Sequence, residues 1–253
     1  MADPAARPDR HLAWDGCLNV RDLGGHSTED GGATKFGAIV RADSIRQLSE
    51  AGWAELVAYG VATIVDLRGR DELAADPPAE PPVQVVHVPF FVDDEEAWAE
   101  IEAAAKAAPT AAAATRDVYL VFLERFRANV ATAIVALARA PAGTIVVHCA
   151  GGKDRTGLLT ALLLRLAGVG RADIAADYAL SEERLRPRSD AWLARAETDA
   201  ERERIRRGSA TPAEAMTGVL EELERRYGSV AAYLQAGGVT EAELDRVRER
   251  LVA

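Results

Sequence analysis

Cysteine is scarce: Cys17 and Cys149 are the two in 253 residues. A pair so far apart is no disulfide framework, and both thiols are expected to be reduced. Basic residues are outnumbered, 30 Lys and Arg against 40 Asp and Glu, for a net charge of −10. That balance argues against nucleic acid as a partner, since sequence-independent binding needs a broad basic surface. The 4 histidines are scattered, with no Cys or His spaced as a ligand pair. Neither a metal nor another cofactor is therefore expected. Long apolar runs are also missing: the longest, 158–169, is interrupted by Arg165 and too short to span a bilayer. The opening MADPAARPDR lacks the apolar centre of a signal peptide. A cytoplasmic chain with no stable membrane anchor is expected, export without a signal peptide staying open.

What is present supports a packed core, at 49% hydrophobic and 28% charged residues. Residues 1–13 read as a flexible tail rich in Pro, Asp and Arg, followed by one domain over 14–253. A strand is expected over 37–41, a helix over 49–59 capped by Ser49 and ended by Gly60, and a buried β-branched strand over 61–66. A Pro-rich loop spans 76–82, with a strand over 83–88. Residues 93–115 are Ala-rich and broken at Pro109-Thr110, small side chains that suit a helical lid better than a core. One long amphipathic helix is expected over 115–139, then a strand at 144–148 and helices at 156–167 and 171–179. Residues 181–210 are rich in charge, and three capped helices fill 211–253. Strands alternating with helices predict a three-layer α/β/α sandwich around a mainly parallel sheet.

The chemistry concentrates in TIVVHCAGGKDRTGLLTALLL, residues 144–164. A strand ends at His148-Cys149, a short loop follows, and Arg155 stands at the start of a helix. Ala150, Gly151, Gly152 and Lys153 form a turn whose amide N–H groups can face one point, as a nest for an anion. The helix aims its positive end at the same place, and Arg155 offers a planar fork for two oxygens of a tetrahedral oxyanion. That field favours a thiolate over a thiol at Cys149. The pattern suits attack of Cys149 on a phosphate monoester, forming a cysteinyl-phosphate that water then hydrolyses. It is not the nucleotide-binding Gly-x4-Gly-Lys-Ser/Thr loop, because Val147 replaces the first Gly and Asp154 the Ser or Thr.

His148 through Gly157, HCAGGKDRTG, resembles the signature of the cysteine-based protein tyrosine phosphatases. Its Lys-Asp-Arg-Thr form is similar to a bacterial and fungal branch with tyrosine, dual-specificity and phosphoinositide members. NVRDLGG from Asn19, VRAD from Val40, IVDLR from Ile64, DYALS from Asp177 and YGS from Tyr227 resemble the same branch. The resemblance implies a Cys-x5-Arg phosphatase fold with extra helices, and phosphotyrosine protein, phosphorylated lipid or a small phosphorylated molecule as substrate. A soluble metabolite phosphatase and a phosphate-binding module without turnover stay open as alternatives. A general acid must protonate the leaving oxygen. There is no Trp-Pro-Asp tripeptide, so the resemblance implies the acid is Asp154, its other reading being an Asp that pairs with Arg or caps the helix. Asp93 and Asp94 are rivals, otherwise ordinary helix N-terminal acids. Lys153 is either a second cation toward phosphate or a solvated lysine. Thr156 is expected to donate to the sulfur or cap the helix. His148 is expected to order the loop from behind, with Arg21, Asp22, Asp66 and Arg68 in a supporting scaffold of ion pairs.

Overall fold

Among the described residues five strands build one sheet, β-branched and apolar in the longer ones: β1 (Arg21–Asp22), β2 (Ile39–Ala42), β3 (Val61–Asp66), β4 (Gln84–His87) and β5 (Thr144–His148). A computed structural model describes residues 10–76 and 80–252. Residues 1–9 of the expected tail, 77–79 of the Pro-rich loop and 253 lie outside the described residues. The strand order is β1-β2-β5-β3-β4, and every neighbouring pair is parallel except β1 with β2. The expected strands at 37–41 and 83–88 are found at 39–42 and 84–87. Ala42 on β2 and Asp66 on β3 both lie beside His148 on β5. Three parallel strands thus end level, and the loops leaving their carboxyl ends meet at one edge, where open α/β sheets bind ligands.

β5 is buried along its whole length. Its Ile145 and Val147 enter the larger of two apolar cores and Val146 the smaller, the period-two alternation of a strand covered on both faces. The smaller core is closed by α1 (Glu50–Ala58) through Leu56, together with Trp14 and Ile45. The larger is filled by helices, with α6 (Asp154–Leu166) at its centre; ten of its thirteen residues are buried. That explains the run LLTALLL, because a helix enclosed on nearly every side has no polar face. The result is a three-layer α/β/α sandwich with unequal outer layers.

Ser49, Ser229 and Thr240 each accept a backbone N–H at the start of a helix. The expected cap of the first C-terminal helix is missing: Pro212 stands at its N-cap position, and the Thr211 hydroxyl donates instead to the Ala179 carbonyl at 2.9 Å. The expected single helix over 115–139 is two, α4 (Ala111–Arg125) and α5 (Arg127–Arg139). No Pro or Gly marks the break. Phe126 makes it, leaving helical geometry at φ −107°, ψ 25° with its ring buried against Phe91 and Trp98. There α4 packs on α3 (Glu95–Ala107) and α10 (Ala213–Tyr227), while α5 packs on α12 (Glu241–Leu251). α7 (Arg171–Arg184) outruns its expected end at 179, and the charge-rich stretch beyond it forms α8 (Arg186–Arg195) and α9 (Asp199–Ser209). Neither α8 nor α9 buries a residue fully, in keeping with that composition. Residues 10–12 lie along β1: Asp22 N donates to the Arg10 carbonyl at 2.8 Å, and Leu12 N to that of Val20 at 3.3 Å.

Candidate active site

The loop between β5 and α6 is shaped by what grips its carbonyl groups. Ser44 N donates to the Ala150 carbonyl at 3.2 Å. Asn19 Nδ2 donates to the carbonyls of Gly151 and Gly152, both at 3.1 Å, and Arg41 adds a 2.7 Å bond to the latter. In a planar trans peptide the N–H points opposite the C=O. Three carbonyls drawn outward therefore turn the amides of Gly151, Gly152 and Lys153 to the other side, as an anion nest requires. Gly152 makes the turn at φ +61°. A cavity of about 290 Å³ opens over this loop, lined by Cys149, Ala150, Gly151, Asp154 and Arg155, and across from them by α8 and the end of α9. Trp192 and Arg188 stand on that opposite wall, Arg188 with its guanidinium 5.4 Å from the Trp192 ring centroid.

Cys149 is buried and unpaired in any disulfide. Arg155 sits six positions on, at the first turn of α6. Its guanidinium pairs with Glu72 of α2 (Arg70–Ala75), Nη2 to Oε1 at 2.8 Å, and lies 5.5 Å from the Phe91 ring centroid. Burial alone would lower the Arg155 pKa, but Glu72 and Cys149 raise it above its ordinary value. Burial likewise lifts Glu72, and the Arg155 and Gly69 N–H bonds outweigh it to hold that carboxyl below its usual range. Asp154 Oδ1 accepts from the Tyr119 hydroxyl at 2.5 Å and lies 3.5 Å from Lys153 Nζ. Lys153 is turned inward, donating to the Gly208 carbonyl, rather than solvated. Thr156 is fully buried, and its hydroxyl neither caps α6 nor has another partner.

Behind the loop, His148 Nδ1 lies 3.3 Å from the Cys149 carbonyl and Nε2 3.5 Å from Asp66 Oδ2. Burial drives the His148 pKa down to about 4, so the ring is neutral and Asp66 does not form an ion pair with it at neutral pH. Asp66 instead takes Arg68, at 2.7 Å, and this guanidinium offsets the upward push of burial and keeps the carboxyl below its usual range. Arg68 also reaches Asp76 at 3.2 Å. These residues support β3 and do not line the cavity over Cys149. Asp94 is the N-cap of α3, bonded by Ala97 N at 3.0 Å. Asp93 is exposed and lines a second cavity of about 600 Å³, which Arg155 also lines, with Glu72, Phe91 and Trp98 of α3. Asp154 thus shares a cavity with Cys149, and Asp93 does not.

Besides Asn19, Arg41 and Ser44, four residues near the loop carried no assigned role in the sequence. Glu72 and Tyr119 reach it from 83 and 35 positions away, and Arg188 from the charge run. The fourth, Asp177, lies in the DYALS stretch. Fully buried, it pairs with Arg21 of β1 at 3.2 Å and Arg41 of β2 at 2.6 Å, and so fixes the guanidinium that holds the Gly152 carbonyl. Burial raises its carboxyl, and the two guanidiniums more than reverse this, to well below the carboxylate range. Arg41 pays the complement, its pKa lowered to about 10 by burial and by Arg21.

The model of the tyrosine phosphatase family matches residues 12–253. Triple specificity protein phosphatase PtpB of Mycobacterium tuberculosis is 29% identical over 268 aligned positions, which cover 92% of this chain and 96% of PtpB. A tyrosine-protein phosphatase of Nostoc commune is 28% identical, covering 85% of this chain and 74% of its own. Among solved structures, P. aeruginosa TpbA is 20% identical with a TM-score of 0.30, over 66% of this chain and 86% of that one.

Proposed function

The chain belongs to the tyrosine phosphatase family, and on that premise we propose that Cys149, Arg155 and Asp154 carry out its hydrolysis of phosphate monoesters. The observation that carries this reading is the set of three loop carbonyls tied outward by Asn19, Arg41 and Ser44, which leaves three amides for an anion beside the Cys149 sulfur. The phosphoryl oxygens bind to those amides and to Arg155 once its fork is shared with Glu72. The Cys149 thiolate attacks phosphorus, the bond to the leaving oxygen breaks, and Asp154 gives that oxygen a proton. Water then attacks the phosphorus of the cysteinyl-phosphate, Asp154 takes its proton, and the thiolate departs with phosphate released. The unpartnered Thr156 hydroxyl is suited to donate to that departing sulfur. The amides and guanidinium hold the phosphoryl charge through both steps.

Phosphotyrosine in a protein is the proposed substrate. The name of the mycobacterial relative assigns it triple specificity, and for this chain a breadth beyond phosphotyrosine, toward phosphoserine or a phosphorylated lipid, is proposed. The test is turnover of an aryl phosphate and of a phosphotyrosine peptide by wild type, Cys149→Ser, Arg155→Lys and Asp154→Asn, beside a panel of sugar and nucleotide phosphates. Cys149→Ser is expected to abolish turnover, and Asp154→Asn to lower kcat by roughly a hundredfold or more. Turnover surviving in Cys149→Ser would sink the nucleophile. Sugar phosphates outrunning the peptide would sink the substrate.

A further inference from the structure

A carboxylic acid that donates a proton in one direction must have its two oxygens told apart. At Asp154 they are. Oδ1 accepts a 2.5 Å bond from the Tyr119 hydroxyl, and Lys153 Nζ approaches the same oxygen at 3.5 Å. The Tyr119 hydroxyl is itself 2.9 Å from that of Tyr178. The two rings meet edge to face, with centroids 6.0 Å apart, and both are buried while the Asp154 side chain is 45% exposed. Tyr119 comes from α4 and Tyr178 from α7, so two helices hold the acid at the start of a third. Gly157 makes room for this arrangement, since a methyl there would lie 3.1 Å from the Tyr178 ring.

The structure assigns Tyr119 as the positioning residue of the reaction: its hydroxyl, braced by Tyr178, occupies Asp154 Oδ1 and leaves Oδ2 as the atom that gives and retrieves the proton. A neutral acid places its proton on the oxygen that is not already accepting a bond and facing an ammonium. The same bond survives when Asp154 is ionised, so one geometry serves both protonation states and both steps. Burial, with the charge of Asp154 adding to it, pushes both phenols above their ordinary range, which keeps the hydroxyls protonated as donors. This inference rests on the reading of Asp154 as general acid.

The test compares phenyl phosphate, whose leaving oxygen needs a proton, with para-nitrophenyl phosphate, whose phenolate leaves with little help. Tyr119→Phe is expected to lower kcat/KM, which reports departure of the leaving group, roughly tenfold more on phenyl phosphate than on para-nitrophenyl phosphate. Its vanadate affinity is expected to stay unchanged, and the basic limb of its pH profile to move upward as the carboxylate loses a donor. In an Asp154→Asn background the same change is expected to add nothing. Tyr178→Phe, which spares the bond to Asp154, is expected to show a weaker form of the same pattern and guards against a Tyr119 variant that folds poorly. If Asp154→Asn shows the leaving-group dependence and Tyr119→Phe does not, the positioning role falls and the acid stands. An equal fall of kcat/KM on both substrates in Tyr119→Phe, or weaker vanadate binding, also overturns the role, since it marks general damage. No leaving-group dependence in Asp154→Asn removes the acid and the inference with it.

Discussion

Gly152 is the residue on which the loop turns. Its φ of +61° lies where a side chain is strained, and an added methyl would stand 2.5 Å from the Ala42 carbonyl oxygen, which belongs to the neighbouring strand and has nowhere to retreat. Gly152→Ala is therefore expected to lower stability by about 1–3 kcal/mol. It is also expected to slow turnover by roughly a hundredfold, because the amides on either side lose their common focus. Urea unfolding and aryl-phosphate kinetics measure the two effects, and wild-type kinetics in this variant would mean the nest does not depend on that turn. The local character of the nest is why Cys149, Arg155 and the glycines could be read from ten consecutive residues. What the chain brings from elsewhere had no such signal. Glu72 and Tyr119 look like an ordinary helix acid and an ordinary helix aromatic until folding sets them against Arg155 and Asp154.

At the scale of elements, α7 secures the site from outside it. Asp177 sits between Arg21 on β1 and Arg41 on β2, and Arg41 goes on to the Gly152 carbonyl. Asp177→Asn keeps the shape and removes the charge, leaving two buried guanidiniums without a full counter-ion. A loss of about 3–5 kcal/mol is expected in denaturant unfolding, together with slower turnover as Arg41 loses its fixed position. A change below about 1 kcal/mol would mean that water or another acid reaches the pair. Helix starts were legible because caps are local: Ser49, Ser229 and Thr240 act at the positions the sequence marks. The division of α4 from α5 was not, since Phe126 fits the apolar spacing of one continuous helix. It breaks the helix only because its ring has Phe91 and Trp98 to pack against, a contact made by tertiary structure and invisible to periodicity.

For the whole molecule, the fold that brings three strand ends level also seals two histidines inside it. His148 is fully buried and His26 nearly so, and burial, aided at His26 by Arg10, lowers both to about 4 from an ordinary 6.5. The folded chain thus refuses protons that the unfolded chain accepts as pH falls below 6.5, so stability is full above that value and declines toward 4. By roughly pH 5 the His148 contribution alone amounts to about 2 kcal/mol. Asp66 and Asp177, held low by their arginines, extend the loss to more acid conditions. Asp22 and Asp43, raised by burial, oppose it, because they take up protons more readily when folded. Urea midpoints measured from about pH 7.5 to about pH 5 are expected to fall, and His148→Gln to flatten the slope. Midpoints that stay level across that range would mean His148 takes its proton without unfolding. With Asp66 Oδ2 only 3.5 Å from Nε2, the imidazolium would then be a stable buried ion pair, and the neutral ring behind Cys149 would have to be given up.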